Sequence, residues 1–250
     1  MISVIRTDFK KISKLNFMIV IVIPAVVMLM GWGIFQGGMM NKIGRSWETF
    51  LMQVNTVITF LIPMGITIIG CSLANTEHKA QAWKLMLALP VTKRSIYLSK
   101  FFYLISFIFL ICLLLSAGIG IVGTVLNFPQ NIPVLLVLKQ IFYPFLASIP
   151  IMAFQLWLSL SIKNQAFPMV IGIFTAVFSY TFTLFSSAIG NFLFWAYPAL
   201  ASPLKPLIEN GKFNGVGYSS SAWLYPILGV VVGVLFIYIG LKHFTRKDVY

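Results

Sequence analysis

The residues able to do chemistry outside an apolar matrix are concentrated between Asn75 and Lys100, NTEHKAQAWKLMLALPVTKRSIYLSK. This stretch carries Lys79, Lys84, Lys93, Arg94 and Lys100, five of the 18 basic residues, with the acid Glu77 beside His78. A lone histidine next to one carboxylate is more often a solvated pair than a base or a ligand. The chemistry on offer is therefore recognition, built from charge, one indole and a helical frame. Asn75 or Thr76 is suited to cap a short helix, with Glu77 favourably placed in its first turn. Residues Glu77 to Leu89 are good helix formers, and Pro90 stops the run. Trp83, Met86, Leu87 and Pro90 fall on one side at helical spacing, while Lys79 and Lys84 project elsewhere. Thr92 reads as the N-cap of a following helix, with Val91 and Ile96 as its hydrophobic staple and Lys100 as an anchor at the membrane interface. The segment predicts a surface docking element. Each residue also has a plainer reading: Trp83 as an interfacial aromatic, and Lys84, Lys93 and Arg94 as simple flanking charges.

Elsewhere the sequence lacks the usual constellations of catalysis. It contains no Gly-x4-Gly-Lys-Ser/Thr phosphate loop and no acid-terminated strand to hold magnesium. Its five acids are Asp8, Glu48, Glu77, Glu209 and Asp248, and none falls inside an expected span. A carboxylate relay for protons or sodium is thereby missing, which argues against an ion-coupled carrier. The two histidines, His78 and His243, are far apart in sequence, and no metal cluster is indicated. Cys71 and Cys112 read as two lone thiols rather than as a disulfide framework.

The elements that must position these residues are membrane helices. Of the 250 residues 59% are apolar and 9% charged, against roughly 25% charged in an ordinary soluble domain. The +13 net charge flanks apolar runs, so it speaks for topology and lipid headgroups rather than for nucleic acid. Apolar runs predict an all-α membrane protein with six transmembrane helices, at about 16–36, 52–73, 98–126, 135–161, 166–190 and 222–243. Before them, residues 1–15 space Ile2, Ile5, Phe9 and Ile12 around Arg6, Lys10, Lys11 and Lys14, the pattern of an amphipathic interfacial helix. A span-length first run without a small-x-small site favours a retained helix over a cleaved signal. Thirteen basic residues fall on one side of this arrangement and five on the other, which predicts cytoplasmic termini.

Within the spans, polar residues gather at Gln53, Asn55, Thr56, Thr59 and Thr67, with Gln155 in the fourth and Thr181 and Thr183 in the fifth. In lipid such groups face other helices or a pathway, so Gln53, Asn55, Thr56, Thr59 and Gln155 are candidate substrate-pathway residues with interhelical packing as the plain alternative. Two small-x3-small pairs, Ser116/Gly120 and Gly229/Gly233, permit close helix contact. The stretch 191–221 mixes Pro198, Pro203, Pro206, Gly211, Gly215 and Gly217 with Phe192, Phe194, Trp195, Tyr197 and Leu200. It predicts either short re-entrant helices shielded by protein or an irregular loop in the aromatic belt.

The pattern Glu77-His78, Trp83-Lys84, Leu87-Ala88-Leu89-Pro90-Val91, Lys93-Arg94, Ile96-Tyr97 and Ser99-Lys100 resembles the first cytoplasmic loop of type-2 ABC exporter permeases. It is similar, more narrowly, to lantibiotic and bacteriocin self-immunity permeases, with bacitracin-resistance permeases close by. The six spans, the basic N-terminus, the Pro-rich last outer loop and Phe244-Thr245-Arg246-Lys247-Asp248 extend the likeness over the whole chain. The resemblance implies a single permease domain in a bacterial plasma membrane, with a coupling helix between spans two and three in the 75–95 loop. It implies that Glu77, His78, Trp83, Lys84, Leu87 and Pro90 lie in or beside a cytoplasmic ABC ATPase, and that Lys163 and Asn164, in the 162–165 turn, make a second, smaller contact. ATP and magnesium would then belong to that ATPase, with no cofactor on this chain. The further partners implied are a second permease copy or paralogue, membrane lipids and a peptide antibiotic as cargo. A non-transporting membrane sensor or scaffold is the rival from another class.

Overall fold

In a computed structural model the structure describes residues 14–36, 46–79, 92–126, 128, 131–185, 192–209 and 212–246. The expected interfacial helix therefore lies, except for Lys14 and Leu15, outside the described residues. Helix α1 (Lys14–Gln36) packs along α2 (Trp47–Lys79), and α3 (Lys93–Val125) lies beside both. Next come α4 (Val134–Ala147), α5 (Ile149–Ser161) and α6 (Ala166–Phe185), the short α7 (Tyr197–Leu200), strands β1 (Leu204–Glu209) and β2 (Lys212–Tyr218), and α8 (Leu224–Arg246). Five units are long and apolar enough to cross a membrane: α1, α2, α3, α4 with α5, and α8. The remaining expected span, the fifth at 166–190, corresponds to α6, of which Ala166–Phe178 forms a shorter apolar helix.

Helix α2 is the most enclosed of these, with Phe50, Leu51, Val54, Ile58, Ile62, Ile66 and Ile69 buried along it. One side chain locks its start. Trp47 is 1% exposed and packs on Phe128 (ring centroids 4.9 Å) and Phe50 (6.5 Å, edge-on). Its indole fills the space a side chain would need at Gly123 of α3, where an added Cβ would overlap the ring. Gly229 and Gly233 of α8 work likewise. A Cβ at Gly229 would come within 2.6 Å of the Ala147 Cα, so this small pair presses α8 onto the α4–α5 junction. Ser116 and Gly120 do not: a Cβ at Gly120 meets nothing within 4 Å.

Three expectations are corrected or refined. Helix α2 runs through Asn75 and Thr76 to Lys79 instead of ending at a new cap, because the Thr76 hydroxyl donates back to the Leu73 carbonyl (2.8 Å) within the helix. The expected fourth span stands over Val134–Ser161, with its helix interrupted at Ser148. Pro144 and Pro150 lack the N–H that the helix ladder needs, and the Ser148 hydroxyl donates to the Pro144 and Phe145 carbonyls (2.9 and 2.8 Å). Lys100, expected to anchor the chain at the membrane interface, is 1% exposed among the helices.

The described residues after α6 comprise a stretch packed into the bundle and a hairpin that the sequence reading did not foresee. Phe194 and Trp195 stack at 3.9 Å and pack against Phe154 of α5 and Phe236 of α8. Phe236 lies twelve residues into α8, about 18 Å along it at 1.5 Å per residue. From Phe194 the described chain runs through α7 to the hairpin, its aromatic rings packed against α5 and α8. Strands β1 and β2 then pair antiparallel from Leu204↔Tyr218 to Glu209↔Lys212. The register shifts between Leu207 and Ile208, next to the pair Leu207↔Gly215, and Gly215 has φ of +137°, a conformation that favours glycine.

Candidate functional site

The connections divide the bundle into two ends. Lys79, Lys93, the 162–165 turn and Arg246 mark one, here the basic end; Trp47, Pro133, the hairpin and Leu224 mark the other. Cross-contacts agree with this. The Lys93 ammonium donates to the Thr245 carbonyl (3.5 Å), and the Trp157 indole N–H donates to His243 Nδ1 (3.2 Å). Gly240 leaves room for the Tyr97 hydroxyl. Trp157, Ser161, Ile162, His243 and Arg246 line an open cleft of about 470 Å³ there.

Thr92 caps α3 as expected, its hydroxyl accepting from the Ser95 N–H (3.3 Å). Ile96 of the predicted staple is buried, while Val91 lies outside the described residues. Glu77 and His78 fall in the last turn of α2, where only the backbone is described. Trp83, Lys84, Leu87 and Pro90 lie outside the described residues. In the 162–165 turn, Asn164 is occupied with building the bend: its Oδ1 accepts from the Ala166 N–H (3.1 Å) and starts α6. Gln165 donates to the Ser159 and Ile162 carbonyls (2.9 and 2.6 Å), closing the end of α5. Lys163 is exposed beside them.

The polar residues in the spans separate into two groups. Gln155 is 2% exposed and sits in a knot between α2, α5 and α6. Its Nε2 donates to the Pro168 carbonyl (3.1 Å) and lies 3.4 Å from the Cys71 thiol and 3.5 Å from the Ser159 hydroxyl. Cys71 and Ser159 are themselves 3.5 Å apart. Gly172 makes the approach possible, since an added Cβ would overlap Thr67 and reach Gln155 Oε1 at 2.8 Å. In this conformation Gln155 is interhelical packing. Replacing it with leucine is expected to destabilise the protein by about 1–2 kcal/mol, the upper range for interhelical hydrogen bonds in bilayers, read as a lower melting temperature in detergent.

Along α2 the threonines satisfy themselves. Thr59 donates to the Asn55 carbonyl (2.9 Å) and Thr56 to that of Met52 (3.4 Å). Thr59 is buried, while Gln53, Asn55 and Thr56 are half-buried. Asn55 Oδ1 is a buried atom with no hydrogen bond among the described residues. A second knot was missed from sequence: Gln140 Nε2 donates to the Ser202 hydroxyl (3.0 Å), which donates to the Leu204 carbonyl (2.8 Å). It pins the hairpin to α4. Only spatial pairing identifies it, because the partners are 62 residues apart.

These ends and knots form a multi-pass membrane scaffold, and no group of three or more metal-ligating side chains occurs among the described residues. No curated protein matches the sequence. Residues 4–179 match the family described as ABC-2 family transporter protein. That family supplies membrane components of ABC transporters, not themselves typically catalytic, and implies a partner ATPase subunit in general terms. With residues 4–179 matched and five apolar spans in place, the chain belongs to the ABC-2 transporter family, as the membrane-spanning permease component of an ABC transporter.

Proposed function

We propose that this permease is half of an ATP-driven exporter that removes a lantibiotic or similar amphipathic peptide antibiotic from the bacterial plasma membrane. In this reading the chain has six spans, α6 with the re-entrant stretch completing the set, and both termini are cytoplasmic. A second permease copy or paralogue pairs with it. Two separate ATPase subunits dock below and carry the ATP and magnesium. Residues Glu77 to Pro90 form the coupling helix, with Glu77, His78, Trp83, Lys84, Leu87 and Pro90 in or beside the ATPase. The 162–165 turn is the smaller contact, with Lys163 as its recognition group and Asn164 holding the bend. Nucleotide binding and hydrolysis push on both, switching the paired permeases between inward- and outward-facing arrangements.

One observation carries the reading. A permease of an ABC family gathers its cations at the end where Lys79, Lys93, Lys163, Lys242 and Arg246 stand, with Lys79 of α2 and Lys93 of α3 on either side of the 80–91 stretch, yet its sequence has no phosphate loop. Gln53, Asn55 and Thr56 remain the pathway residues of the proposal, with Thr59 shaping the helix behind them.

The cargo is tested by expressing the permease with its ATPase in a sensitive bacterial host. Inhibitory concentrations are then measured for a panel of lantibiotics and for unrelated drugs. A rise of at least fourfold confined to lantibiotics is the expected result. A rise for non-peptide amphiphiles alone would assign another cargo to the same machine.

A further inference from the structure

At the hairpin end, two cavities share the side chain of Val134. The first, about 530 Å³, is lined by Glu48 from the first turn of α2, Lys139 and Tyr143 from α4, Tyr218 and Ser219 at the close of the hairpin, and Trp223 just before α8. The second, about 400 Å³, is almost wholly apolar and runs between α3 and α4, with Ala117, Gly120, Ile121, Val137 and Leu138 among its walls. Val134 and Ile121 are 61% and 64% exposed, so this groove opens to the side of the bundle, where the acyl region of a bilayer lies. Gly120 makes the groove, because the space its Cβ would enter holds no atom within 4 Å.

The charges decide what fits. Glu48 and Lys139 line the same cleft, and neither has an ion-pair partner among the described residues. A purely anionic headgroup is repelled by Glu48 and a purely cationic one by Lys139; a group carrying both signs satisfies the two together. Trp223 and Tyr218, exposed at 57% and 65%, add aromatic faces that suit both an ammonium and the headgroup level of a membrane. Tyr143 and Ser219 supply hydroxyls for phosphate oxygens.

We propose that this pair of cavities is a binding site for one zwitterionic phospholipid, with its phosphate at Lys139, its ammonium at Glu48 among the aromatic rings, and an acyl chain in the Gly120 groove. The site is set by charge and shape at the hairpin end and does not depend on how the basic end couples to its ATPase. It would hold the hairpin to α4 through a ligand as well as through the Gln140–Ser202 knot.

The test uses the full-length permease purified in mild detergent, with bound lipid read by native mass spectrometry after equilibration with phosphatidylethanolamine, phosphatidylcholine or phosphatidylglycerol. Free phosphoethanolamine serves as the chainless control. Wild type should retain one zwitterionic lipid at least fivefold better than phosphatidylglycerol, and should not retain phosphoethanolamine. Glu48→Gln should remove that preference while leaving phosphatidylglycerol retention unchanged or raised. Gly120→Leu, which enters open space, should cut retention of all three lipids at least fivefold with no fall in melting temperature. Equal retention of the three lipids by wild type would overturn the proposal, as would retention indifferent to both variants. Retention of phosphoethanolamine as strongly as the lipid would assign the cleft to a soluble headgroup-like ligand instead.

Discussion

Trp47→Ala is expected to lower the stability of the permease by about 3 kcal/mol, among the largest effects of any single truncation in the described residues. Large aromatic-to-alanine changes in soluble cores cost about 3–5 kcal/mol. The lower edge applies because, in a bilayer, the apolar surface uncovered meets lipid instead of water, so the loss is chiefly of packing. Trp47 supplies much of that packing at the hairpin end, where Phe50 and Phe128 close on it and Gly123 receives its ring. Gly123→Leu should fail for the reciprocal reason, since its side chain claims the same volume. Trp47→Phe should recover about half of the loss. Thermal unfolding in detergent, followed by retention on size exclusion, measures all three. Equal stability of wild type and Trp47→Ala would contradict the role given to this side chain.

The second large effect belongs to the proposed coupling helix. Glu77→Ala combined with Trp83→Ala is expected to cut ATP-dependent transport in reconstituted vesicles at least tenfold, with normal insertion and an unchanged melting temperature. A contact between subunits loses most of its energy through a few buried aromatic and charged anchors, whereas removal of a lipid-facing indole would leave transport near normal. Lys163→Glu should give a smaller loss of about threefold, because one exposed charge governs encounter more than affinity. Transport by the double variant at the wild-type rate would return Trp83 to the status of an interfacial anchor.

What could be read from sequence follows from how local each signal is. The apolar runs mark their own helices, and the Thr92 cap and the Gly229/Gly233 contact are written within four residues of chain. The likeness of the 75–100 segment to type-2 ABC permeases, at that level and no finer, agrees with the family that residues 4–179 match. The extension of α2 past Thr76 was not legible, because a threonine that caps and one that donates back to its own helix have the same surroundings in sequence. The break at Ser148 needed two prolines and a hydroxyl to act together in an otherwise apolar run. The hairpin was hidden because Pro206, Gly215 and Gly217 read as breakers, and its strands are held by Ser202 bound to a distant Gln140. Gln155 was recognised as costly in lipid, but its partners Cys71 and Pro168 come from other helices, so packing and pathway could be separated only in three dimensions.

The central claim is that this chain is driven by an ATPase carried on another polypeptide. Affinity purification of the tagged permease from native membranes under mild crosslinking, with protein identification and an ATP hydrolysis assay on the eluate, tests it most directly. The account predicts a stoichiometric ABC ATPase in the eluate, hydrolysing ATP, and its loss when Glu77 and Trp83 are both alanine. A well-inserted wild-type permease that brings down no ATPase would contradict the account and favour a sensor or scaffold that transports nothing.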